Sequence, residues 1–116
     1  MREQSRDPQR LRDILSSIEA IERYSDGIDF AQLRDEPMRY HAIVYNIMIL
    51  GEAANMLTHE FRESHSQTPW KQIVGMRNFL IHGYFNVEKD DVWNVITVDI
   101  PPLRKQIEQY LKETNL

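Results

Sequence analysis

No cysteine occurs anywhere in this chain. A disulfide framework and a thiolate metal centre are therefore both excluded, and the composition suits a reducing, cytoplasmic setting. Glycine is scarce as well, at 4 residues in 116, and no glycine-rich loop of the kind that cradles phosphates is present. No apolar run is long enough to span a bilayer. The longest candidate, AIVYNIMILGEAANML, is interrupted by Asn46 and Glu52 and reads as a buried helix. The charged start, MREQSRDPQRLRD, lacks the apolar core of a signal segment, so a soluble protein with no membrane association is expected. An excess of positive charge is also missing. A formal net charge of -4 argues against coating nucleic acid through a general basic field, although 14 lysines and arginines leave room for a local basic site.

What remains is an ordinary globular balance, with 41% hydrophobic and 28% charged residues, and it predicts one domain over residues 1–116. Strand-type alternation is absent, and helical spacing recurs. Asp7 and Pro8 form a helix start, with Asp7 as the expected N-cap and Pro8 at the first helical position. Leu11, Ile14, Leu15, Ile18 and Ile21 then form one stripe, and Gly27 ends the helix. Residues 28–34 read as a turn or short helix. A long helix follows from about Pro37 to beyond Leu57, apolar nearly all round in its middle, so it should be the central and most buried element. Thr58 is placed to cap a short extension through Glu63. A further helix begins near Pro69-Trp70 and stops at Gly83. The last segment starts near Glu88-Lys89-Asp90. Its Trp93, Ile96, Ile100, Leu103, Ile107 and Tyr110 keep one phase through Pro101-Pro102, predicting a single helix kinked at the prolines. The expected fold class is all-α, a bundle of four to five helices, with Met48, Met56, Trp70 and Trp93 in its core.

The stretch RNFLIHGY, residues 77–84, stands out. Core packing accounts for Phe79, Leu80 and Ile81, but not for Arg77, Asn78, His82 and Tyr84. Arg77 and His82 are five apart, about 7.5 Å of rise and about 140° of rotation on a straight helix. Gly83 has no side chain, so another backbone or a phosphate could come close there. Taken singly, each residue has a plain structural explanation, such as His82 at a helix C-terminus or Arg77 in a surface ion pair. Glu52, on the apolar helix, needs a partner. It serves either a structural ion pair between helices or support for Arg77 or His82. His41, His59, His65 and His82 do not show metal-ligand spacing, and no metal or cofactor is expected.

RNFLIHGY resembles the R-x4-H-x-Y motif of the HepT-like toxins, a family of the HEPN superfamily of helical ribonucleases. RLRDILSSIEAIERY, NIMILGEAANML, PWKQIVGMRNFLIHGYF and VWNVITVDIPPL also resemble blocks of that family, in the family's order, so the likeness covers almost the whole chain. THEFRESHSQ departs from it by lacking a proline-interrupted connection, so this loop should be more helical here. The resemblance implies an HEPN-like bundle that works as a homodimer, with higher association open. It makes Arg77 and His82 the catalytic pair and Asn78 a substrate-positioning residue. Tyr84 becomes the AMP acceptor for a cognate nucleotidyltransferase antitoxin of the MntA type, and RNA the substrate. A metal-free route through the RNA's own 2'-hydroxyl would use histidine for proton transfer and arginine for phosphate charge. Lys71 would add local positive charge. A different class of function, a non-catalytic helical module that partners a nucleotidyltransferase and binds nucleotide or RNA without cutting, uses the same residues.

Overall fold

A computed structural model describes residues 5–114; the first four residues of the charged start and the last two of the chain lie outside the described residues. The described residues form helices and turns: α1 (Asp7–Ser25), α2 (Phe30–Asp35), α3 (Pro37–Met56), α4 (His59–Ser64), α5 (Trp70–His82), α6 (Lys89–Asn94) and α7 (Ile100–Thr114). A 3-10 turn, Tyr84–Asn86, follows α5, and a π turn, Val95–Asp99, joins α6 to α7. The fold is an all-α, HEPN-like bundle. Among the described residues no helix is long and apolar enough to cross a membrane.

The α1 stripe buries as its spacing predicts, with Leu11, Ile14, Ile18 and Ile21 fully shielded from solvent. Pro8 lies in the first turn, but Asp7 is not the N-cap. It is the first helical residue, and its carboxylate crosses to the end of α3. There it accepts hydrogen bonds from Thr58 N (2.9 Å) and Thr58 Oγ1 (2.7 Å). Thr58 Oγ1 in turn accepts from Phe61 N (3.1 Å) and caps α4. THEFRESHSQ is thus more helical than a plain loop. An Asp29–Gln32 capping box starts α2, and Gly27 turns the chain before it with φ of 71°.

Helix α3 is central, packed on one side by α1 and on another by α5. It is not buried all round. Met38, Tyr45, Ile49 and Met56 lie exposed (88%, 61%, 38% and 49%), because among the described residues no other helix covers that face. Met56 therefore leaves the expected core set. Trp70 is buried, whereas Met48 and Trp93 are half-buried against the core.

The C-terminal segment is one helical run, but its phase does slip. The buried positions are Val92 and Val95, then Ile100, Leu103, Ile107 and Tyr110. The step from 95 to 100 is one residue longer than a helical repeat. Pro101 and Pro102 have no N–H, and each ring crowds the carbonyl four residues back. The chain meets this by widening the preceding turn, with Ile100 N–H donating to the Val95 carbonyl, five residues back. Trp93 and Ile96 are consequently half-buried beside the fully buried row.

The start of α5 is anchored to α7. Thr68, 1% exposed, donates from Oγ1 to Gln106 Oε1 (2.8 Å), so the 2.6 Å bond to Tyr110 is one in which the phenol donates. Burial pushes the Tyr110 phenol above its ordinary pKa. Trp70 Nε1 donates to the His65 carbonyl (3.0 Å) beside it. The Asp7 bridge is a comparable tie near the same end of the bundle, joined to it through Phe61, whose ring lies 5.7 Å from that of Tyr110. Asp7→Ala should lower unfolding free energy by about 1–3 kcal/mol in urea titration, the cost of stranding both Thr58 donors.

Candidate active site

RNFLIHGY lies on α5 and the turn after it, and α5 packs directly on α3. Gly51 of α3 lets that packing occur. A Cβ there would collide with Arg77 Cβ, and would lie 3.0 Å from Arg77 Cγ and 3.3 Å from the Ile73 carbonyl oxygen. The bare backbone at Gly51 is therefore the floor on which the Arg77 stem rests. A glycine inside an apolar helical run costs about 1 kcal/mol relative to alanine, and this was the sequence signal for a close approach.

The next residue, Glu52, takes the guanidinium. Arg77 Nη2 forms an ion pair with Glu52 Oε2, and Arg77 Nη1 donates to Asn78 Oδ1 (2.7 Å). Arg77 Nε is buried without a partner among the described residues. Glu52 is not sealed in the core, since its side chain is 46% exposed. Its pair with Arg77 is screened and contributes little to stability. It does fix the plane of the guanidinium, leaving one N–H on each of Nη1 and Nη2 free to face a phosphate.

His82 is the last residue of α5 and is exposed. Among the described residues the histidines paired with carboxylates are His59, with Glu63 (2.7 Å), and His65, with Glu113 (3.2 Å). Asn78 is exposed and shares the outer face of α5 with Lys71, Gly75 and His82, at steps of four, three and four residues. Arg77 turns instead toward α3, so within one chain Arg77 and His82 occupy different faces of α5. Phe79 and Ile81 are exposed, at 43% and 41%, and Leu80 alone of that trio enters the core. Three successive helical residues sweep about 200° and cannot all face one way.

Gly83 ends α5 at a negative φ (-123°), with its N–H on the Phe79 carbonyl (2.8 Å). The space above it is already filled. A Cβ would lie 3.3 Å from the Phe79 ring, so this glycine admits a side chain of its own helix rather than a phosphate. Tyr84 is half-buried in the 3-10 turn, its ring 6.2 Å from that of His41 and 5.8 Å from that of Phe85. Burial, with Tyr84 adding to it, pushes the Tyr40 phenol up.

The helical bundle thus presents an oriented arginine, a free histidine and a half-buried tyrosine on one helix and its C-terminal turn. That class of protein, an all-α bundle with a polar Arg–His–Tyr site, is met by one family in particular. A family model described as Ribonuclease HepT-like matches residues 14–110, and the chain belongs to that family. A protein of Caldanaerobacter subterraneus subsp. tengcongensis named "Putative RNase TTE0752" is 41% identical over 103 residues, 89% of this chain and 92% of that protein. "Putative RNase MJ1380" of Methanocaldococcus jannaschii is 34% identical over 98 residues, covering 84% and 90% of the two chains. "Probable ribonuclease HepT" of Thermococcus cleftensis is 32% identical over 102 residues, covering 88% and 93%. No solved structure matches the chain.

Two glycines should respond oppositely to one substitution. Gly51→Ala should lose about 1–3 kcal/mol by overpacking against Arg77. Gly75→Ala, where a Cβ meets nothing within 4 Å, should gain up to about 1 kcal/mol from helix propensity. Denaturant titration of both variants checks the pair.

Proposed function

We propose that this chain is the toxin half of a toxin–antitoxin pair: a metal-independent endoribonuclease whose active site is completed by a second copy of the chain. The observation that carries this reading is Arg77, oriented by Glu52 and Asn78 on the same helix that ends in an exposed His82. Membership of a ribonuclease family supports it.

In the proposed reaction the RNA 2'-hydroxyl attacks the adjacent phosphorus, a base removes its proton, and an acid protonates the departing 5'-oxygen. The products are a 2',3'-cyclic phosphate and a 5'-hydroxyl. Histidine suits either proton-transfer role near neutral pH. Arginine, always charged, carries the phosphate and the charge that builds in the transition state. One chain offers one His82, and its Arg77 sits on another face of α5. A dyad-related copy would supply the second histidine and bring the facing groups together. The exposed apolar side chains Tyr45 and Ile49 on α3, and Phe79, Ile81 and Phe85 around His82, support a covering partner.

His82→Ala and Arg77→Ala should each lower RNA cleavage by about 10²–10⁴-fold, leaving EDTA-treated wild type active and releasing cyclic-phosphate ends by mass spectrometry. Dimers mixed from the two inactive chains should regain part of the activity. Full activity in an obligate monomer would remove the composite site.

Tyr84 is the proposed point of control. An AMP attached there by a partner nucleotidyltransferase adds charge and bulk one residue beyond the α5 cap, opposing RNA by repulsion and occlusion. Tyr84→Phe should stay growth-inhibiting when co-expressed with the neighbouring nucleotidyltransferase, whereas wild type is silenced. Equal silencing of both would count against modification as the switch.

A further inference from the structure

The reading of Arg77, Asn78 and His82 leaves one exposed feature unassigned. An open groove of about 720 Å³ runs along α4 and the first two turns of α5. It brings His59 and Arg62 of α4 to Lys71, Gly75 and Asn78 of α5. The one carboxylate lining it, Glu63, is taken by His59 at 2.7 Å. Arg62 and Lys71 form no ion pair among the described residues, and Arg62 Nε is buried there without a hydrogen-bond partner. On a chain that is acidic overall, this leaves a local surplus of positive charge.

Gly75 is the second unexplained feature. It sits inside α5, exposed, where glycine weakens a helix and where an added Cβ would meet nothing within 4 Å. Nothing among the described residues requires it, unlike Gly51. A glycine in open space on a basic groove leaves room for something from outside to lie against the helix backbone.

We propose that this groove carries single-stranded RNA away from the cut, with Arg62 and Lys71 on its phosphates and the strand lying across the bare backbone at Gly75. The proposal rests on the ribonuclease reading and names where the substrate extends beyond the reacting phosphate. Continuity supports RNA as the occupant. Asn78 lines the groove and also accepts the Arg77 bond. Lys71, Gly75, Asn78 and His82 form one exposed line on α5, about 16 Å long at the helical rise. A stacked strand advances about 3.4 Å per nucleotide, so the line spans about five nucleotides. A dinucleotide at His82 falls short of Lys71.

The test uses full-length wild type, the double variant Arg62→Gln/Lys71→Gln, and Gly75→Glu. All three positions are at least partly open to solvent, and the last change is compatible with the helix, so folding is retained. Each chain is assayed on uridylyl-adenosine and on an unstructured ten-nucleotide RNA. Binding of the labelled ten-nucleotide RNA is followed by anisotropy in a His82→Ala background across a salt series. The variants should lose about 10–100-fold in kcat/KM on the longer RNA, chiefly through KM, so that the preference for it over the dinucleotide shrinks toward one. The double variant should also flatten the slope of log binding constant against log salt by about 0.7 per lost phosphate contact. Equal losses on both substrates, or an unchanged salt slope, would overturn the groove. So would an altered molecular mass of Gly75→Glu by light scattering with RNA binding intact, which would make this face a chain–chain contact. Absence of cleavage by wild type strikes the ribonuclease reading instead; the binding series still decides the groove.

Discussion

The close approach of α5 to α3 at Gly51 is the constraint on which the site depends. Removing one Cβ from α3 lets the Arg77 stem lie against the helix backbone, and the carboxylate one residue later holds its charged end. An arginine of this kind, its side chain 24% exposed, would otherwise sample many rotamers, and its entropy would oppose any phosphate contact. Packing fixes the stem and charge fixes the head. The two together convert a flexible surface cation into an oriented one.

The rest of the bundle serves to present α5 in that position. Thr68, Tyr110 and Gln106 fasten the approach to α5 onto α7, while Asp7 and Thr58 close the C-terminal end of α3. The π turn lets a proline pair sit within the last helix without breaking it, shifting the buried row by one residue so that Ile100, Leu103 and Ile107 stay buried in the helix that packs on α1. Function and stability are thus divided along α5: its inner face, with Trp70 and Leu80, belongs to the core, and its outer face carries Lys71, Gly75, Asn78 and His82.

The arrangement also explains how an acidic chain can handle a polyanion. Most of its cations are spread over the other helices, but Arg62, Lys71 and Arg77 of α4 and α5 stand beside residues suited to phosphate chemistry. A weak field elsewhere limits adhesion to RNA outside that line. The exposed apolar side chains Tyr45 and Ile49 of α3 and Phe79, Ile81 and Phe85 of the α5 end are not among the residues that line the α4–α5 groove.

Much of this was legible in the residues themselves. Helical spacing identified every long helix, because side-chain burial repeats with the helical turn and needs no knowledge of the neighbours. Thr58 and Gly27 marked boundaries through local backbone chemistry, and RNFLIHGY drew attention because its polar residues had no packing role. The sequence could not assign partners. Asp7 looked like a cap for its own helix, but its carboxylate bonds a residue 51 positions away. Gly83 looked open and is covered by Phe79, whereas the consequential glycine, Gly51, meets an arginine from another helix. Nor did periodicity reveal that α3 keeps an exposed apolar face, or that the last helix gains a residue before its prolines. Local pattern determines which elements form. Which side chains then meet depends on contacts between distant segments, and only the packed tertiary structure sets those distances.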